Sequence, residues 1–157
     1  VSMLIGFTCS TFDLLHAGHL TLLKVMRERV DEVWVGLQTA IPDRPEKNQP
    51  VQTVLERYLQ LDALGWIDKI IPYESEPDLL NMLKVIPPHA RFTGAEYYGK
   101  PFTGSDLYYT DSFSSENFKP VPGSICYVGR DHTWSTSDLR KRVVASEKAK
   151  ETHNGNS

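Results

Sequence analysis

Short apolar runs alternate with amphipathic stretches along this chain, and that alternation constrains the fold more than any other feature. "MLIGFT" (3–8) reads as a buried strand. From about His16 to Val30 the pattern is helical: Leu20, Leu23 and Arg27 form one stripe, broadened by Leu22, Val25 and Met26. "DEVWVGLQ" (31–38) is a second strand. "AIPDRPEKNQP" (40–50) follows, and its prolines make it a loop. Thr53 opens a helix, with Glu56 completing a capping box, and Gly65 stops it after Leu64. "IDKIIPY" is a third strand, ended by Pro72, and Pro77 fits the first turn of a helix through Val85. "ARFTG" (90–94) and "SICYVGR" (124–130) are the fourth and fifth strands. Ser135 or Ser137 caps a last helix, expected to fade near Glu147. Strands alternating with helices imply an α/β fold: a five-stranded parallel sheet with helices on both faces.

The 157 residues suffice for one domain with a proper core. That domain is expected over 1–147, with an insert at about 100–123 and a polar tail, 148–157, expected to be disordered. A net charge of -3 without a basic stripe argues against nucleic acid as a partner. No apolar run is long enough to span a membrane, and no signal pattern opens the chain. Cys9 and Cys126 read as reduced, buried thiols, so a cytoplasmic location is expected.

In parallel sheets of this kind ligands bind beyond the carboxyl ends of the strands. Three polar segments fall there: "TFDLLHAGH" after the first strand, "GAEYYGK" after the fourth and "RDHTWSTSDLR" after the fifth. His16 and His19 share a helix face, and Gly18 between them lets a ligand approach the backbone. Free N–H groups at a helix start attract anions, and imidazoles donate to phosphate oxygens. Two exposed histidines at an ordinary helix start would explain the same residues. In "STSDLRKR" (135–142) a plain cap accounts for one of the three hydroxyls, and Arg140 could reach a phosphate from the same face.

"STFDLLHAGH" (10–19), "KNQPVQTVLER" (47–57), "LGWIDKIIP" (64–72), "GAEYYGK" (94–100) and "RDHTWSTSDLR" (130–140) together resemble the HxGH nucleotidyltransferase family. The likeness is strongest to its small cytidylyltransferases for glycerol-3-phosphate and for choline- and ethanolamine-phosphate. It spans most of residues 3–144 and implies a Rossmann-like fold that transfers CMP from CTP to a phosphorylated alcohol. Pyrophosphate is released, Mg²⁺ bridges the phosphates, and the enzyme pairs as a homodimer.

The resemblance also implies roles. His16 and His19 hold the triphosphate and stabilise charge, and Thr11 and Phe12 put backbone groups beside the α-phosphate. Lys47 bridges that phosphate and the acceptor. Arg57 approaches nucleotide or acceptor phosphates; outside the family it would be a surface arginine. Ser135, Thr136 and Ser137 bind the β- and γ-phosphates, with Arg130 nearby. Asp13 orders the loop rather than acting as a base.

Several positions depart from the family pattern. Ser10 stands for a glycine, Ala40 for an aspartate, and Ala95 and Glu96 for an acidic pair of which Glu96 keeps one role. Gly65 stands where close cytidylyl members carry a nucleotide-holding arginine, which leaves open an adenylyltransferase using ATP and a sugar phosphate. A nucleotide-binding module without turnover is the reading from another class. The insert, with Tyr108, Tyr109, Phe113 and Phe118, reads either as a lid over the acceptor or as a loop packing its own aromatics. Trp34 and Trp66 read as packing.

Overall fold

The computed structural model describes residues 3–86, 88–113 and 119–155. Strands β1 (Ile5–Ser10), β2 (Glu32–Gln38), β3 (Lys69–Tyr73), β4 (Ala90–Gly94), β5 (Thr110–Phe113) and β6 (Ser124–Val128) form one sheet in the order β3-β2-β1-β4-β6-β5. Every pairing between them is parallel. The helices are α1 (Ala17–Arg29), α2 (Val54–Asp62), α3 (Glu76–Val85) and α4 (Thr136–Asn154).

Burial follows from the parallel arrangement, which covers both faces of the central strands. Residues Val33 to Gln38 of β2 and all of β6 are buried. On one face Leu23 and Met26 of α1 and Leu61 of α2 pack with Val33, Val35 and Phe92, and Trp66 closes the margin. On the other, Leu79 and Leu83 of α3 meet Phe7, Trp34 and Tyr73. Both Trp34 and Trp66 are packing residues, and Cys9 and Cys126 are free thiols.

Three features correct the sequence expectation. The sheet has six strands, not five. The extra strand, β5, lies in the insert; its "TDSF" is four residues long and mostly exposed, so it carries no apolar alternation to read. Pro72 lies within β3 opposite Leu37 rather than ending the strand, which the sheet tolerates because β3 is an edge. Helix α4 continues beyond Glu147 to Asn154. Its end is rich in Ala, Lys and Glu, which favour helix whether or not they are buried. The expectation of a disordered 148–157 tail had rested on polarity, which reports on burial rather than on helix propensity; residues 156–157 lie outside the described residues.

Phe113 of the insert joins an aromatic cluster: it stacks on Tyr127 of β6 (5.5 Å), and Tyr98 meets both edge-on. Phe118 lies outside the described residues.

Strand order reverses at β1. From β1 the sheet extends through β2 and β3 on one side, and through β4, β6 and β5 on the other. The connections beyond β1 and β4 therefore diverge and leave a crevice between them, where open α/β sheets place ligands.

Candidate active site

The crevice begins at the turn from β1 into α1. Phe12 and Leu14 both have φ of 50°, a left-handed backbone that costs energy for non-glycine residues. Phe12 is 1% exposed, so core burial opposes that cost. Asp13 fixes the turn: its carboxylate accepts from the amides of Val51 and Gln52, both at 2.9 Å, and from Arg140 Nη2 at 3.0 Å. This carboxylate thus ties the β1–α1 turn to the start of α2 and to α4. Arg140 Nη2 also donates to the Gln49 carbonyl at 2.8 Å, so the arginine braces the loop.

The two histidines cap α1. His16 Nδ1 accepts from the Gly18 amide at 3.0 Å, and His19 Nδ1 accepts from the His16 amide at 3.2 Å. This is a capping box built from imidazoles. An accepting Nδ1 places the proton of each neutral ring on Nε2. The rings stack at 3.9 Å, and His16 Nε2 lies 3.2 Å from Thr136 Oγ1. Burial first, then the neighbouring His16, pushes His19 down to about 3. Burial and then Arg130 also lower His16. His19 is therefore a neutral donor at neutral pH.

Space around Gly18 is tight. A Cβ there would lie 2.8 Å from His16 Cε1 and 3.0 Å from the Trp134 carbonyl. The glycine makes room for the capping ring and the β6–α4 connection, and it also lines the cavity described next.

Opposite the histidines, β4 and β6 contribute Thr93, Gly94, Glu96 and Arg130. Arg130 Nη1 donates to Glu96 Oε1 at 3.2 Å, and Nη2 donates to the Trp134 carbonyl. Ser135 caps α4 by accepting from the Asp138 amide at 3.0 Å, and Thr136 opens the helix. Together these residues enclose a cavity of about 240 Å³, whose walls include Phe12, His16, Gly18, His19, Glu96, Arg130, Ser135 and Thr136. Ser137 is exposed and is not part of the wall. His132 is a wall residue that the sequence reading passed over. Its ring stacks on Trp134 at 4.7 Å and its Nδ1 accepts from the Trp134 amide, a third imidazole held by backbone. The signal was its place in "RDHTWSTSDLR", two residues after Arg130.

The remaining residues lie elsewhere. Thr11 and Lys47 line a second cavity, of about 630 Å³, on the other side of β1. The two cavities share Cys9, Ser10, Thr93 and Tyr97. The Lys47 loop is braced by Gln49, which exchanges hydrogen bonds with the backbone of Ile41. Arg57 is 1% exposed and does not face either cavity's wall. Its donors go to the carbonyls of Thr11, Gln38, Thr39 and Gln52 at 2.6–3.1 Å. It is a strut across the carboxyl ends of β1 and β2, because carbonyls freed where strands end need donors.

A magnesium ion has little to hold it from protein alone: the described residues contain no group of three potential ligands. Among the described residues the first cavity offers one carboxylate, Glu96, already paired with Arg130. That donor set suits an ion carried on phosphate oxygens and water, which needs no protein cage.

Relatives include the bifunctional protein HldE of Campylobacter curvus, 33% identical over 64% of this chain and 22% of that protein. HldE of Rhodospirillum rubrum is 34% identical over 68% of this chain and 22% of its own. HldE of Granulibacter bethesdensis is 28% identical over 78% of this chain and 26% of its own. The chain thus spans about a quarter of the length of these relatives. A lipopolysaccharide core biosynthesis protein from Thermoplasma volcanium has the same fold, with a TM-score of 0.57 and 19% identity over 85% of this chain and all of that one. The cytidylyltransferase-like family profile matches residues 7–142, from β1 to the second turn of α4, and the chain belongs to that family.

Proposed function

We propose that the chain transfers a nucleoside monophosphate from a nucleoside triphosphate to a phosphorylated alcohol, with CTP as donor and pyrophosphate as leaving group. The observation that carries this reading is the meeting, in one cavity, of the His16 and His19 rings with Thr136 and the amino end of α4. Neutral Nε2–H donors, a hydroxyl and helix amides suit a polyanion that gains charge on its leaving oxygens.

An oxygen of the acceptor's phosphate attacks the α-phosphorus of the triphosphate. A new phosphoanhydride forms, the bond to the β-phosphate oxygen breaks, and pyrophosphate carries away the electron pair. A phosphate with a second pKa near 6 is already anionic at neutral pH, so no strong base is needed. Positioning and charge stabilisation supply the rate. His16 and His19 donate toward the α-phosphate, while Ser135 and Thr136 with the first α4 amides hold the β- and γ-phosphates. Arg130 and Glu96 border the same cavity, and Lys47 faces the acceptor from the adjoining one. Magnesium, entering on the triphosphate, would shield charge between the two phosphates.

A second reading takes ATP and a sugar phosphate. It is favoured by Gly65, which offers no side chain where close cytidylyl relatives carry an arginine. Pyrophosphate release measured with CTP, ATP, GTP and UTP, Mg²⁺ and a set of phosphorylated alcohols and sugars separates the two. Dependence on CTP supports the first, dependence on ATP the second, and binding without release from any pair contradicts both.

A further inference from the structure

The larger cavity contains a cation that the residues around it do not answer. Arg91 lies on β4, in register with Phe7 of β1, and is 5% exposed. Its guanidinium lies over the rings of Phe7 (5.3 Å) and Phe102 (5.0 Å). Nη1 donates to the Thr103 carbonyl at 3.2 Å and Nη2 to Cys9 Sγ at 3.1 Å, a weak acceptor, while Nε has no partner among the described residues. Among the described residues no carboxylate pairs with it. Glu76, the one acid among the described residues of the cavity wall, is engaged by Arg44 (3.1 Å) and the Thr103 hydroxyl (2.6 Å). A buried guanidinium stays charged, and without a counter-ion it is costly to keep.

We infer that the larger cavity receives the acceptor, and that the acceptor carries a second anionic group, beyond its reacting phosphate, which docks on Arg91. The identity of the occupant rests on the reading above. The reacting phosphate must meet the nucleotide across the shared rim at Ser10 and Thr93, on the side where Lys47 stands. Arg91 joins the wall two residues before Thr93, about 7 Å farther down the strand. A ligand spanning rim and floor thus meets separate positive groups at its two ends. The aromatic faces around Arg91 exclude water and strengthen a charge-assisted contact there. The acceptor class this fits is a phosphorylated sugar or polyol bearing a carboxylate or a second phosphate.

Calorimetric titration of the full chain tests this with probe pairs that differ by one anionic group. The pairs are glycerol 3-phosphate against 3-phosphoglycerate, and fructose 6-phosphate against fructose 1,6-bisphosphate. In at least one pair the doubly anionic probe binds about tenfold tighter or better, the worth of one charge-assisted contact. Arg91→Gln abolishes that preference and leaves the singly anionic probe within about twofold, whereas Arg91→Lys keeps part of it. Equal affinities within both pairs, or a preference intact in Arg91→Gln, overturn the inference. A measurement on the unmutated chain stands if the glutamine variant does not fold: the Arg91 Nε–H resonance moves with the doubly anionic probe only, and an unmoved resonance is contradictory. Binding is read here without turnover. Equal affinities in a chain that releases pyrophosphate sink this inference alone; anion preference in a chain that never releases it sinks the transfer reading alone.

Discussion

His16 Nε2 and Thr136 Oγ1 stand 3.2 Å apart although 120 residues separate them in the chain. That contact joins the start of α1 to the start of α4, so two helix amino ends face one cavity. Helix starts concentrate unpaired amides, and two of them beside neutral imidazole donors form an anion cradle with no net positive charge from the histidines. Replacing His16 with alanine removes a cap and a donor together. The expected outcome is a fall in kcat of about 10²–10³-fold, the usual worth of one oxyanion donor, with acceptor KM little changed. Steady-state pyrophosphate release checks it, and Thr136→Val gives a smaller fall in the same direction.

The state of His19 makes stability depend on pH. Its folded value is depressed to about 3 from an ordinary 6.5, so between those limits the unfolded chain binds a proton that the folded chain refuses. Stability from this group is complete above pH 6.5 and is lost as pH falls toward 3, by at most about 1.4 kcal/mol per pH unit. Denaturant titrations from pH 7 to pH 4 should show a flatter acid limb in His19→Gln than in the parent chain.

Arg57 and Arg130 should separate cleanly. Arg57 spans four carbonyls in the interior, so Arg57→Leu leaves acceptors unpaired and costs several kcal/mol, about 1–3 for each unsatisfied buried group. Arg130 is more exposed, bonded to Glu96 and to the Trp134 carbonyl at the cavity's edge. Arg130→Leu should leave the denaturation midpoint nearly unchanged and weaken triphosphate binding instead, as thermal unfolding with and without nucleotide would show.

Much of this was legible in the sequence, and the misses share physical causes. The helix start at Thr53, with its capping box to Glu56, follows from two side chains and forms as read, although the helix ends at Asp62 rather than Leu64. The spacing of His16 and His19 marks a helix start, but spacing alone does not tell that the rings themselves cap it. Arg57 shows the limit most clearly: an arginine on an amphipathic helix reads as exposed, and only the tertiary arrangement supplies four carbonyls around it. Arg91 gave no signal within "ARFTG", because a charged residue in a strand does not reveal whether anything nearby answers it.

Asp13 holds three segments with one carboxylate that is 3% exposed. Asp13→Ala leaves two amides and the Arg140 guanidinium unpaired, and breaking a buried pair of this kind costs about 3–5 kcal/mol. The expected pattern is a lowered midpoint in denaturant together with faster proteolysis of the 39–53 loop. Unchanged stability would mean that the loop and α4 are held by other contacts.

Histidine-selective ¹⁵N NMR of the full chain, titrated with CTP and with ATP, tests the polyphosphate cradle most directly. The Nε2 resonances of His16 and His19 should move with at least one triphosphate, and stay in place with the matching nucleoside. Resonances that do not move at saturating concentrations of either triphosphate would show that the cavity between α1 and α4 does not hold the phosphates.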